Sequence, residues 1–168
     1  KDCQVNFHLG EKFNSIQLIL TPETAEYLKK EGQFKEKFLT NQLFRAKEIG
    51  VYMTQIHQSM LNSGYPFSKV SLTDVVVDDQ ESSAKLTIEK NQRLTWKEIH
   101  VKGDTAVSIN YISSLLQIKV GDWYNESVLG TIAQKIEQVP FLTEIKSSEY
   151  LFTNDGVELF LYLKSRPM

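Results

Sequence analysis

The sequence predicts an α+β protein made of two tandem modules, each ordered strand, helix, helix, strand, strand. Three observations predict it. The helix-to-strand junction "LNSGYPFSKVSL" (Leu61–Leu72) returns in similar form as "IEQVPFLTEIKS" (Ile136–Ser147). Val70 precedes Ile88 by the same separation at which Ile145 precedes Leu163, so the two closing hairpins match in length. The same succession of alternating and helical patterns is read on either side of residue 90, as expected of an internal repeat at domain period. The predicted division is 11–90 and 91–168, preceded by a short segment, 1–10.

In that segment Val5, Phe7 and Leu9 alternate in "CQVNFHLG". They read either as the last strand of a preceding module or as an N-terminal strand added to the first sheet. "NSIQLIL" then alternates Ile16, Leu18 and Leu20, a half-buried strand. Thr21-Pro22-Glu23 begins a helix, with threonine as cap and proline at the first helical position. Phe34–Phe44 reads as an irregular helix. Ile49, Met53, Ile56 and Met60 mark one face of a longer helix that ends at Asn62-Ser63-Gly64. Strands follow over Lys69–Val77 and Ala84–Glu89, separated by "DDQES".

The second module is clearer. In "LTWKEIHVKG" Ile99 and Val101 alternate with Glu98 and His100, and Gly103-Asp104 ends the strand. Ser108 stands as N-cap before Ile109, Ile112, Leu115 and Leu116, a helix expected to stop near Gly121. Asn125 caps the next helix, with Glu126 favoured in its first turn by the dipole. Val128, Leu129, Ile132 and Ile136 form its apolar face, Gly130 is a place for close packing, and Pro140 ends it. Strands over Glu144–Phe152 and Val157–Lys164 are joined by "TNDG", a hairpin signal. The joint near Lys90–Leu94 has neither Pro nor Gly and is expected to be a defined hinge.

Composition narrows the function. A net charge of -2, with 24% charged and 41% hydrophobic residues, describes a core-forming chain without the basic block that nucleic-acid binding needs. No apolar run approaches a bilayer span, and no signal-peptide pattern opens the sequence. Cys3 is the sole cysteine, so the chain forms no internal disulfide and no zinc knuckle.

Nothing in the sequence spells catalysis. His8, His57 and His100 fall on different elements without an H-E-x-x-H pattern. There is no G-x-S-x-G elbow and no phosphate-binding glycine loop. Asp78-Asp79 lies in a turn, where solvation accounts for it. The expectation is a non-enzymatic protein with no cofactor and no metal.

From Trp96 to Ser165 the chain resembles a POTRA (polypeptide-transport-associated) domain of BamA/TamA-like outer-membrane proteins. The likeness rests on Gly103-Asp104 where the family has Gly-Asn, the helix start at Ser108, and Gly121-Asp122 with Tyr124-Asn125. The Pro140-Phe141 junction and Asp155-Gly156 complete it. In the first module it is strong over Ile49–Glu89, where "GYPFSKVSL" fits, while Thr21–Ala46 departs from the pattern.

The resemblance implies a periplasmic array ahead of a membrane-embedded β-barrel. Its partners would be unfolded outer-membrane polypeptides or accessory assembly proteins, handled without nucleotide or metal. The alternative is a POTRA-like module of a cell-division or two-partner-secretion protein that binds a fixed partner. A free-standing interaction module is the third reading.

The likeness also implies, in each module, a three-stranded mixed sheet with helices on one face, its last strand central and the strand after the Pro-Phe junction an edge. An open edge offers unpaired amides and carbonyls to an extended polypeptide, by β-augmentation. The edge-binding residues so assigned are Val70, Ser71, Leu72 and Thr73 in the first module, and Ile145, Lys146, Ser147 and Ser148 in the second. The competing reading is that the edges are merely solvated, or guarded by Lys69 and Lys146. The outward faces differ: the second module is expected to carry Trp96, Tyr150, Phe160 and Tyr162, where the first has Ser71, Thr73, Lys85 and Thr87. That aromatic face is either a contact surface or ordinary cross-strand packing.

Overall fold

The computed structural model describes residues 15–30, 43–77, 82–103 and 106–166. The expected strand of Val5, Phe7 and Leu9, residues 34–42, His8, Cys3 and Asp78-Asp79 lie outside the described residues. Residue contacts divide the chain into two compact units. One contains the described residues up to Ser59 with Ser68–Glu89; the other contains Met60–Phe67 with those from Lys90 onward.

The first unit holds β1 (Ile16–Leu20), α1 (Pro22–Lys30), β2 (Leu43–Phe44), most of α2 (Ala46–Asn62), β3 (Lys69–Val77) and β4 (Ser82–Glu89). Its sheet is ordered β2-β1-β4-β3, with β1 and β4 parallel and the other pairs antiparallel. Thr21 caps α1 as expected: its Oγ1 accepts the Thr24 N–H at 3.2 Å and its carbonyl accepts the Ala25 N–H at 2.9 Å. Among the described residues the sheet has one strand more than the expected three. Leu43 and Phe44, read from the sequence as the end of a helix, pair with Gln17 and Ile16 instead. Phe44 is buried and stacks on Tyr52 with ring centroids 5.0 Å apart, so tertiary packing overrides the local helical pattern. At the start of α2 the Arg45 N–H donates to Glu48 Oε2 at 2.9 Å, the return half of a capping box. The buried stripe of α2 runs through Ile49, Tyr52, Ile56 and Met60, with Met53 half-buried beside it.

The second unit's sheet joins β5 (Trp96–Gly103), β6 (Leu142–Thr153) and β7 (Gly156–Ser165) in the order β5-β7-β6. β5 runs parallel to β7 and β6 antiparallel to it. Central β7 buries Val157, Leu159, Leu161 and Leu163 in strict alternation. Each such side chain contributes roughly 1.5–3 kcal/mol on burial, which makes β7 the strand this unit depends on most. Against it pack Ile112 and Leu116 of α3 (Ile109–Leu116) and Ile132 and Ile136 of α5 (Ile132–Glu137).

Two helix boundaries differ from the sequence reading. α3 stops at Leu116, well before Gly121, because Gln117 takes a left-handed conformation (φ 59°) and the turn carries Ile118 into the core. Gly121 instead donates its N–H to the Trp96 carbonyl at 2.8 Å. Ser108 has the extended backbone of an N-cap, but its hydroxyl makes no capping bond. Asn125 does cap, accepting the Ser127 N–H at 3.0 Å. The helix it opens breaks at Gly130-Thr131 into α4 (Glu126–Leu129) and α5. A Cβ on Gly130 would meet only the Ser127 carbonyl at 3.7 Å, so no close approach explains that glycine.

Met60–Phe67, the turn of the repeated junction, belongs to this second unit. Gly64 has φ +97°, a conformation that L side chains rarely adopt, and its carbonyl accepts the Leu94 N–H at 2.8 Å. A Cβ there would lie 3.2 Å from the Leu94 oxygen and 3.3 Å from Trp123 Cβ.

Candidate protein-binding edges

Among the described residues, the first sheet ends on the short β2 and on β3, and the second ends on β5 and β6. β3 and β6 are the margins that follow the repeated junction. The two margins are built differently. From Lys69 to Thr73, β3 pairs residue for residue with β4, Lys69 opposite Glu89 through Thr73 opposite Lys85. Val70, Ser71, Leu72 and Thr73 all lie in this regular stretch. The register then shifts between Thr73 and Val76, with Asp74 at φ 50°. Beyond the bulge, Val75, Val76 and Val77 remain 39%, 55% and 50% exposed. An apolar recess beside them is lined by Ile16, Leu72, Val75, Val77 and Ala84.

The β6 margin is interrupted. Its register shifts twice, between Glu144 and Lys146 and again between Lys146 and Glu149. Ile145, Ser147 and Ser148 therefore sit in bulges and not in a straight ladder. The Ser148 N–H is taken by Glu144 Oε1 at 3.1 Å. Lys146 is tied to Glu149, and the Tyr162 hydroxyl donates to the other Glu149 oxygen at 2.6 Å. The hydrogen bond from Lys146, followed by that from Tyr162, holds the Glu149 carboxyl below its ordinary range. Bulges and satisfied polar groups are the usual means of blunting an edge strand.

The bulges also redistribute the aromatic residues. Trp96 is 2% exposed and lies in the core, not on the outward face. The ladder skips Lys97, with Trp96 opposite Val157 and Glu98 opposite Glu158. That extra residue breaks strict alternation, so Trp96 and Ile99 both turn inward while Lys97 and Glu98 turn outward. Tyr150 also leaves the outward set. It is registered opposite the buried Leu159, and directly opposed residues point to the same face. Tyr150 thus stands on the core side at the sheet's margin, edge-to-face with Phe152 at 5.4 Å. Phe160 and Tyr162 remain on the outer face, both half-buried. Phe160 is covered by the His100 ring, stacked at 4.6 Å and 12°, and Tyr162 by Lys146, 4.6 Å from its ring centre.

Comparison with known proteins places this architecture. No protein-family model matches the sequence, and neither does any curated protein. Among solved structures, the chain is similar to BamA from Haemophilus ducreyi lacking POTRA domains 1–3, with a TM-score of 0.60 and 18% identity over 92% of this chain and 29% of that one. It is similar also to Haemophilus influenzae BamA POTRA3–5, with a TM-score of 0.54 and 19% identity over 93% of this chain and 62% of that one. The fold is that of paired POTRA domains. The N-terminal domain of Omp85 from the cyanobacterium Thermosynechococcus elongatus matches at a TM-score of 0.50 and 10% identity, covering 88% of this chain and 60% of that one. The chain spans less than two thirds of the length of each of these structures.

Within the POTRA fold seen here, the last strand of each unit is central and the strand after the repeated junction is marginal. One group escaped the sequence reading. Glu98 and His100, read only as the polar face of a strand, meet Glu158 of the neighbouring strand. The signal available was the E-x-H pair alone; the acid opposite it comes from the pairing of β5 with β7, which is shifted between Trp96 and Glu98.

Proposed function

We propose that this chain is the periplasmic POTRA region of a bacterial outer-membrane β-barrel protein that assembles or translocates outer-membrane polypeptides. In this reading it acts without catalysis, by lending a sheet margin to extended client segments. The observation that carries the reading is the paired POTRA fold with a β3 margin that is regularly registered over Lys69–Thr73. Main-chain pairing is largely independent of client sequence, and each bond contributes about 1 kcal/mol net. A stretch of this length therefore holds a client with a Kd on the order of 1 mM, weak enough to release it. The recess lined by Ile16, Leu72 and Val77 adds a preference for apolar side chains near the bulged end. The twice-bulged Ile145–Ser148 segment is the poorer template.

The test is an amide NMR titration with unfolded outer-membrane β-strand peptides. Shifts are expected to concentrate on Lys69–Thr73, and a peptide N-methylated at every residue, which has no amide donor for the ladder on either edge, should produce none. Shifts confined to other surfaces, or equal shifts with the N-methylated peptide, would remove the edge-capture reading.

A further inference from the structure

On the outer face of the second unit's sheet, β5 and β7 bring three potential metal donors together. Glu98 is registered opposite Glu158, and His100, two residues on, shares the face of Glu98. His100 Nε2 lies 3.7 Å from Glu98 Oε2 and 4.0 Å from Glu158 Oε2. One donor atom of each residue falls within 4.8 Å of the other two.

The separations from the imidazole nitrogen are too long for hydrogen bonds. They are near the about 3.4 Å that separates two donors bound at ~2.1 Å around a tetrahedral ion. His100 Nε2 itself is out of contact with solvent and has no hydrogen-bond partner among the described residues. Stacking on Phe160 fixes the plane of the ring, so the nitrogen is held toward the two carboxylates.

Charge reinforces the geometry. Two carboxylates directly opposed across a parallel pair repel unless a cation lies between them. Lys97 answers only part of this: its Nζ is 3.5 Å from Glu158 Oε1 and 3.3 Å from Asp155, whereas the imidazole meets the other oxygen of Glu158. The Oε2 atoms of Glu98 and Glu158 are left facing Nε2. One imidazole nitrogen and two carboxylate oxygens suit a borderline ion of the zinc class, whereas calcium and magnesium prefer all-oxygen shells.

We propose that Glu98, His100 and Glu158 bind a divalent transition-metal ion of the zinc class. The imidazole Nε2 and one oxygen of each carboxylate are its three protein ligands, and water or a donor from another molecule completes the coordination. The site is independent of edge capture, since β3 takes no part in it.

The experiment titrates the 168-residue chain with zinc chloride at neutral pH. Calorimetry gives the stoichiometry, and the long-range nitrogen–proton NMR signals of the histidine rings give the location. The expected result is one saturable site at which the His100 ring responds first. His8 and His57 serve as internal controls; His57 Nε2 already lies 3.1 Å from the Ser68 carbonyl. Glu98→Gln and Glu158→Gln should each weaken zinc binding at least about tenfold, since even groups outside the ligand shell commonly cost that much. Magnesium chloride should leave the His100 ring unmoved.

A His100 ring that titrates with pH but ignores zinc would show that the carboxylates serve a proton instead, and would overturn the proposal. So would shifts shared equally among the three histidines, or undiminished binding in both Gln variants. The unsubstituted chain alone decides the matter if a variant fails to fold.

Discussion

Tyr124 is a large side chain sealed completely within the second unit. Its ring lies 5.2 Å from Trp96 of β5 and, edge-to-face, 5.5 Å from Phe152 of β6, bridging the two outer strands beneath central β7. Its hydroxyl has no hydrogen-bond partner among the described residues, and burial, followed by the nearby Glu126, pushes its ionisation well above the ordinary tyrosine range. The ring therefore stabilises this core while the hydroxyl carries an unrecovered desolvation cost. Tyr124→Phe should leave stability within about 0.5 kcal/mol of the parent or raise it, whereas Tyr124→Ala should cost about 3–5 kcal/mol. Denaturant unfolding of both variants checks this, and a clearly destabilised Phe variant would reveal a hidden partner for the hydroxyl. The sequence shows Tyr124 as part of a family-like motif but not as the centre of the aromatic cluster. The reason is that Trp96 and Tyr150 each stand beside a register shift, and period-two reading assigns a wrong face wherever the ladder gains a residue.

Elements bounded by strong local chemistry were legible. The closing hairpins, the Thr21-Pro22 start of α1 and the Asn125 cap each rest on interactions between near neighbours in sequence. Those decided by distant packing were not. Leu43–Phe44 became a strand because Ile16 and Gln17 offered a ladder, and α3 stopped early because Ile118 could be buried. The unequal margins belong here as well, since two strands of similar composition differ in bulges that only the partner strand reveals. Gly103 at the end of β5 tests how tightly such an element is fitted. Its φ is +102°, and a Cβ would stand 2.5 Å from the Leu163 carbonyl oxygen, inside the ladder to central β7. Gly103→Ala should therefore destabilise the second unit by about 2 kcal/mol or more, through backbone strain and displacement of that carbonyl. An unchanged denaturation midpoint would mean that β5 can slide away from β7 at little cost.

At the scale of the whole molecule, duplication was readable because matched hairpin lengths and a repeated junction are properties of sequence alone. The membership of Met60–Phe67 in the second unit was not, since it depends on contacts made some thirty residues away along the chain. Arg93 makes two of these, to Ser63 and Tyr65. Its Nε donates to the Ser63 carbonyl at 2.9 Å, and its guanidinium carbon lies 3.8 Å from the Trp123 ring centre and 5.1 Å from that of Tyr65. A charged hydrogen bond is worth about 1.5–3 kcal/mol and a cation–π contact about 0.5–1 kcal/mol at an exposed site, though the pair share one side chain and do not simply add. Arg93→Ala should accordingly lower the stability of the second unit by about 1–3 kcal/mol. Arg93→Lys should recover only a part, because an ammonium cannot both stack on Trp123 and present the guanidinium's planar donor. A chain beginning at Lys90 should show the same loss without any substitution, since it lacks Ser63, Gly64 and Tyr65 altogether. If that shortened chain unfolds at the parent's midpoint while Arg93→Ala does not, the arginine acts through Trp123 alone and the turn is only an attachment. If both fall together, Met60–Phe67 is a structural part of the second unit despite its place in the first half of the sequence.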